Sequence, residues 1–115
     1  MHTYRWETMP EEELNPLLSR RAIHTTAMTI ARLYLKATAV VPTHHHANEQ
    51  VSMVEKGALE FNLAGEERIV RAGGMVVIPP DVPHSVRALE DSIAVDVFTP
   101  RRDDWIRGDD AYLRR

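Results

Sequence analysis

Three histidines and a glutamine carry the clearest chemistry in this chain. His44, His46 and Gln50 lie in Pro42-Thr43-His44-His45-His46-Ala47-Asn48-Glu49-Gln50, a run that continues through Val51-Ser52-Met53-Val54-Glu55-Lys56 to Gly57. His84 ends a second run, Gly73-Gly74-Met75-Val76-Val77-Ile78-Pro79-Pro80-Asp81-Val82-Pro83-His84. In an extended segment, residues i and i+2 point to the same face, so His44 and His46 can grip one ion while His45 points away. Gln50 falls on the same parity and adds an oxygen if the intervening loop preserves that parity. Its neighbour Glu49 is the rival donor, and would turn the site into three histidines and a carboxylate. Imidazoles with one oxygen suit a single divalent first-row transition metal such as Ni, Zn, Mn or Fe. The histidine run is internal and short, unlike a purification tag.

The two runs resemble the two halves of the cupin signature. The first is HxH with a following Gln or Glu and a Gly; the second is G-x5-P-x4-H. Both halves occur in the expected order.

The chain has 115 residues, 43% hydrophobic and 27% charged, which is the composition of an ordinary globular domain. We expect a single domain over 1–115, with its core at about 19–105 and a C-terminal tail at 106–115. A formal net charge of −3 and the lack of a basic stripe argue against a nucleic-acid partner. No apolar stretch approaches a membrane span, and Met1-His2-Thr3-Tyr4-Arg5-Trp6 lacks a signal-peptide core, so no membrane partner is expected. The absence of cysteine excludes disulfides and thiolate ligands and fits a cytoplasmic location.

Short alternating segments separated by turn signals predict an all-β fold, a double-sheet jelly roll. Tyr4 and Trp6 predict a first strand, and Pro10-Glu11-Glu12-Glu13-Leu14 a single helical turn. Ser19 to Val41 reads as two strands or one long bent one. Residues 58–63 and 67–71 alternate about the hairpin turn Ala64-Gly65-Glu66. Met75-Val76-Val77-Ile78 is a strand stopped by Pro79-Pro80, and Ser92 to Thr99 is the last strand. Arg101 to Ile106 predicts a short helix, and Gly108 to Arg115 a loose tail unless it docks on a partner subunit.

The last strand holds a second clue. Ile93, Val95 and Val97 share one face, while Ala94, Asp96 and Phe98 share the other. A carboxylate on a strand face is rarely buried without a partner or a task. If the even face lines the barrel, Asp96 projects toward the metal pocket with Phe98 as an apolar wall. Arg102, beyond the Pro100 corner, can then turn back over the pocket mouth.

Asp96-Val97-Phe98-Thr99-Pro100-Arg101-Arg102-Asp103-Asp104-Trp105 resembles the closing segment of small cupins of the pectin-degradation type, which open the ring of 4,5-unsaturated uronates. The similarity spans about Ser19 to Trp105. It implies a single cupin barrel, often a homodimer, with one divalent metal held by His44, His46, Gln50 and His84. It also implies that Asp96, Phe98 and Arg102 lie in the active site and act on a small sugar acid. In that family the residue between the two histidines and those that follow often read differently; here Ala47-Asn48-Glu49-Gln50 follows HxH, which leaves the ligands intact and alters the pocket rim.

Four neutral ligands leave the charge of the ion unquenched, favouring Lewis acidity. Arg102 offers a planar fork for a carboxylate and for substrate binding, Phe98 a contact surface, and Asp96 a proton carrier. Two readings of other classes stand beside this one: a non-catalytic cupin that binds a sugar or small acid, and a metal-dependent cupin oxygenase, toward which coordination by Glu49 would point.

Overall fold

A computed structural model describes residues 1–115. Ten strands run in order: β1 (Glu12–Asn15), β2 (Leu18–His24), β3 (Thr29–Leu35), β4 (Val40–His44), β5 (Glu49–Lys56), β6 (Ala58–Leu63), β7 (Glu66–Arg71), β8 (Met75–Ile78), β9 (His84–Ala88) and β10 (Ser92–Thr99). A short helix, α1 (Asp103–Ile106), and two 3-10 turns, Trp6–Thr8 and Ala111–Arg114, complete the chain. The strands form two antiparallel sheets, ordered β1-β2-β3-β10-β5-β8 and β4-β9-β6-β7. This is the expected jelly roll.

Period-2 burial explains why these segments are strands. Along β5, Gln50, Ser52 and Val54 are buried while their odd-numbered neighbours are not. Along β10, Ala94, Asp96 and Phe98 turn inward with Ser92. Leu59, Phe61, Ile78 and Phe98 close the core between the sheets. Such side chains each contribute about 1.5–3 kcal/mol when removed from water.

Two turns require their residues. Gly57, between β5 and β6, has φ +85°, and a Cβ there would lie 2.2 Å from Ser92 Oγ and 2.5 Å from the Asp91 carbonyl. Ala64 and Gly65, with φ of 49° and 90°, make a two-residue link between β6 and β7, the conformation that matches strand twist. Glu66 already belongs to β7, so the turn is one residue shorter than expected.

Three expectations are corrected. Tyr4 and Trp6 do not form a strand: Trp6–Thr8 is a 3-10 turn, closed locally by Thr8 donating from both N and Oγ1 to the Arg5 carbonyl, and no strand pairs with it. Pro10–Leu14 is not a helical turn. Residues from Glu12 onward pair with β2, Glu12 opposite Arg20 and Glu13 opposite Ser19, because pairing buries Leu14 where an isolated turn of helix would bury nothing. Lastly, the tail does not hang loose, nor does it need a partner subunit to dock. Leu113 is only 5% exposed, and Asn15 Nδ2 donates to the carbonyls of Leu113 and Arg115. The segment Ser19–Val41 is β2 and β3, with β4 beginning at Val40.

The outer face of the larger sheet is unusually apolar. Ile23, Ile30, Val97, Val51 and Val77 stand opposite one another across five strands, and Val77 is 60% exposed.

Candidate metal centre

β4 and β9 pair with His44 directly opposite His84, which sets their rings 4.2 Å apart. His46 follows on the loop after β4, and its ring centroid lies 5.5 Å from that of His44 and 4.9 Å from that of His84. One ring nitrogen of each histidine lies within 4.8 Å of those of the others. Each Nδ1 is matched with a backbone carbonyl: His44 with Pro42 at 2.8 Å, His46 with Asn48 at 3.0 Å, and His84 with Val82 at 2.8 Å. A carbonyl only accepts, so Nδ1 carries the proton and Nε2 presents a lone pair. This is the arrangement that orients metal-binding histidines.

The donor set fits a metal ion on an observation of its own. His84 Nε2 is buried with no hydrogen-bond partner, and an orphaned buried acceptor is costly unless something else binds it. Gln50 is buried, whereas His45 and Glu49 are exposed. Gln50 Nε2 donates to Ser52 Oγ at 2.9 Å and to Asp96 Oδ2 at 3.2 Å. Those two acceptors orient the amide so that Oε1 points at the histidines, 3.1 Å from His46 Nε2. Parity across the loop therefore holds, and Gln50 rather than Glu49 faces the cluster. Burial, helped by the charges of the neighbouring histidines and Arg102, lowers His44 and His46 to about 4, and burial also lowers His84. All three imidazoles are neutral at neutral pH, as ligands must be.

Asp96, Phe98 and Arg102 converge on the same cavity as His44, Gln50 and His84. Asp96 is 5% exposed; burial pushes its carboxyl up to about 7, and its Oδ1 has no partner. Phe98 meets His46 edge-on at 5.7 Å. Arg102 is held more tightly than a solvated arginine: its backbone N donates to Thr29 Oγ1 at 2.8 Å, and its guanidinium lies over Phe98 at 4.8 Å and Trp105 at 4.6 Å. Asp104 occupies the Nε/Nη2 edge of the fork at 3.0 and 2.8 Å. The other nitrogen, Nη1, makes no hydrogen bond within the chain.

Sequence reasoning missed four contributors. Ser52 and Asp104 orient Gln50 and Arg102. Asn48 donates to the carbonyls of Pro100 at 2.5 Å and Arg101 at 3.2 Å, tying the histidine loop to the corner after β10. Tyr112 stacks on His44 with ring centroids 4.4 Å apart. Its signal was available, since Tyr112 and Leu113 are bulky apolar residues in an otherwise charged terminus. The cavity these residues line measures about 40 Å³ and is partly open to solvent.

Converging neutral nitrogen donors inside a jelly-roll barrel make a cluster that could hold a metal ion. The chain belongs to the cupin family: residues 32–99, more than half of it, match the family model described as Cupin domain. No curated protein matches it by sequence. Among solved structures, KdgF from Halomonas sp. is 30% identical with a TM-score of 0.86, over 91% of this chain and 98% of that one. An RmlC-like cupin from Shewanella frigidimarina also has a TM-score of 0.86, at 25% identity, over 91% and 96%. A predicted oxalate decarboxylase from Thermotoga maritima shares the fold at 16% identity and TM-score 0.77, over 86% and 99%. No helix of the chain is long and apolar enough to cross a membrane.

Proposed function

We propose that this cupin is a metal-dependent enzyme that opens or tautomerises the ring of a 4,5-unsaturated uronate or a similar small sugar acid. The observation that carries the reading is the buried Asp96 carboxyl. One oxygen accepts from Gln50 at 3.2 Å and the other is unpartnered, in a cavity also lined by Arg102, His44 and His84. The likeness to KdgF of Halomonas sp. and the closing motif Asp96 to Trp105 support it further.

His44, His46, His84 and Gln50 would hold one divalent first-row ion, which supplies Lewis acidity toward a substrate oxygen. Ring opening needs one proton removed and one returned: the hydroxyl at C1 loses its proton, the bond from C1 to the ring oxygen breaks, and C4 of the unsaturated bond gains a proton. Asp96 is suited to both transfers through its free oxygen. Arg102 anchors the carboxylate through Nη1, or through its whole fork if Asp104 yields. Phe98 supplies the apolar wall. The chain carries no cysteine, which fits a cytoplasmic enzyme, and the apolar outer face spanning Ile30, Val97, Val51 and Val77 fits a homodimer.

The test is loss of absorbance from an unsaturated uronate with metal-reconstituted protein, corrected for spontaneous opening. Asp96→Asn keeps the shape and removes the base, and is expected to slow turnover by about 10²–10⁴. Arg102→Ala should chiefly weaken substrate binding. Neither should change metal content. An unaltered rate in Asp96→Asn refutes the proton-transfer role. No rate above background in the wild type leaves a non-catalytic acid-binding cupin as the better reading. The oxygenase reading is weakened by the exposure of Glu49.

A further inference from the structure

The C-terminal turn brings an aromatic side chain into the cavity that the reading above does not use. Tyr112 lines it together with His84, Asp96 and Arg102. Its hydroxyl oxygen accepts from Arg102 Nη2 at 2.8 Å and from Trp105 Nε1 at 3.4 Å. A phenol has two lone pairs and one proton. Two N–H groups occupy the lone pairs, and no acceptor within the chain takes the proton, which must point away from both donors.

The side chain is placed by a built scaffold. Asp110, almost fully buried, accepts from Arg20 Nη2 at 2.5 Å and from Arg114 Nε at 3.0 Å. Arg20 in turn lies over Trp105, 4.2 Å from its ring centroid. With Leu113 buried beside it, the turn holds the Tyr112 ring against His44 and its hydroxyl against Arg102.

We propose that Tyr112 is a ligand-contacting residue that donates its phenol proton to a carboxylate oxygen of the bound acid, next to Arg102. The phenol proton is left without an acceptor within the chain at the cavity wall, and a carboxylate brings only acceptors. The ring stacks on His44, so the turn bounds the cavity beside the histidine cluster. The inference rests on the acid-binding part of the proposed function, not on ring opening.

The experiment uses full-length, metal-reconstituted protein and two probes, malonate and D-glucuronate, titrated calorimetrically. Tyr112→Phe removes the proposed hydrogen bond to a charged group and should raise Kd by about 10- to 100-fold, with metal content unchanged and a lower thermal midpoint, because Arg102 Nη2 and Trp105 Nε1 also lose their acceptor. Independently of any variant, ring signals of Tyr112 in ¹³C-tyrosine-labelled wild type should shift on adding malonate while those of Tyr4 and Tyr34 stay put. Equal Kd values for Tyr112→Phe and wild type overturn the proposal, as does loss of metal from the variant or a silent Tyr112 signal. Wild type that binds neither probe overturns it too, and the uronate absorbance assay then judges ring opening separately. Wild type that binds either acid through Tyr112 yet opens no uronate retains this proposal and refutes ring opening alone.

Discussion

Gln50→Glu changes a neutral donor into an anionic one without changing its shape, and its effect should reverse sign with metal. In the wild type Gln50 Nε2 donates to Asp96 Oδ2 at 3.2 Å and to Ser52 Oγ at 2.9 Å. Glutamate places an oxygen where that nitrogen was. Two full negative charges at this spacing repel by about 5 kcal/mol at an effective dielectric near 20, and the lost hydrogen bond to a charged group adds about 1.5–3 kcal/mol. The chain can escape most of this by sharing one proton between the carboxyls, as Asp96 already sits at about 7 through burial. We therefore expect the metal-free variant to lose about 2–4 kcal/mol at pH 8, less than the sum of the unrelieved terms.

The pH sign follows. A carboxyl pair sharing a proton has a folded pKa above the unfolded value near 4. Its contribution is complete below that value and is lost as pH rises through the folded pKa. The metal-free variant should thus be closer to wild type at pH 6 than at pH 8. A dication neutralises the added charge, so the loaded variant should hold metal more tightly than wild type, with slower turnover because the ion is a weaker Lewis acid. Urea unfolding with and without chelator at both pH values, together with metal competition, measures all of this. Equal metal-free stabilities at pH 8 would refute the placement of Gln50 against Asp96, and unchanged metal affinity would refute Gln50 as a ligand.

Two further outcomes concern the scaffold. Gly57→Ala should destabilise by about 2–4 kcal/mol, because alanine is strained at φ +85° and its Cβ would meet the Asp91 carbonyl at 2.5 Å and Ser92 Oγ at 2.2 Å; a thermal midpoint within about a degree of wild type would contradict this. Asp110→Asn should free the C-terminal turn at a cost of about 2–3 kcal/mol, below the usual 3–5 for breaking a buried pair because Arg20 keeps Glu12 at 3.5 Å and the Trp105 ring. Faster amide exchange at Ala111–Arg114 is the readout, and unchanged protection there would count against the latch. Acid should act alike: burial alone would raise the Asp110 carboxyl, but hydrogen bonds from Arg114 and Arg20 outweigh it and hold it below the ordinary range. Its contribution is present above about pH 3.9, the unfolded value, and is lost as pH falls through the lower folded one.

Strand periodicity made the barrel's inner face legible. His44, Gln50, Asp96 and Phe98 were placed by parity, and the structure puts all four on one cavity, because a one-residue slip would turn a whole buried face outward. The same rule carried no information at the ends of the chain. Glu12–Asn15 is a strand only because β2 offers an edge, and Ala111–Arg114 is ordered only because Arg20, Asn15 and the barrel mouth receive it. For segments this short, docking outweighs local preference. The role of Asp104 was not legible for a related reason. An acid in the first turn of a helix reads as a partner for the helix dipole, yet its carboxylate is spent on Arg102, two residues away.

The choice of glutamine at position 50 has a consequence that a carboxylate there would forfeit. Its amide faces the imidazoles with Oε1 and Asp96 with Nε2, so it ties the charge state on one side to that on the other. Positive charge near Oε1 polarises the amide and strengthens the donation from Nε2, which favours ionised Asp96. A glutamate would repel ionised Asp96 or share one proton with it. On the proposed function, the neutral amide couples the histidine cluster to the carboxyl, so that an ion on the histidines would favour the ionised Asp96 that takes a proton. Arg102 lines the same cavity and pairs with Asp104; its charge opposes the effect of burial on Asp96 and adds to it on the histidines.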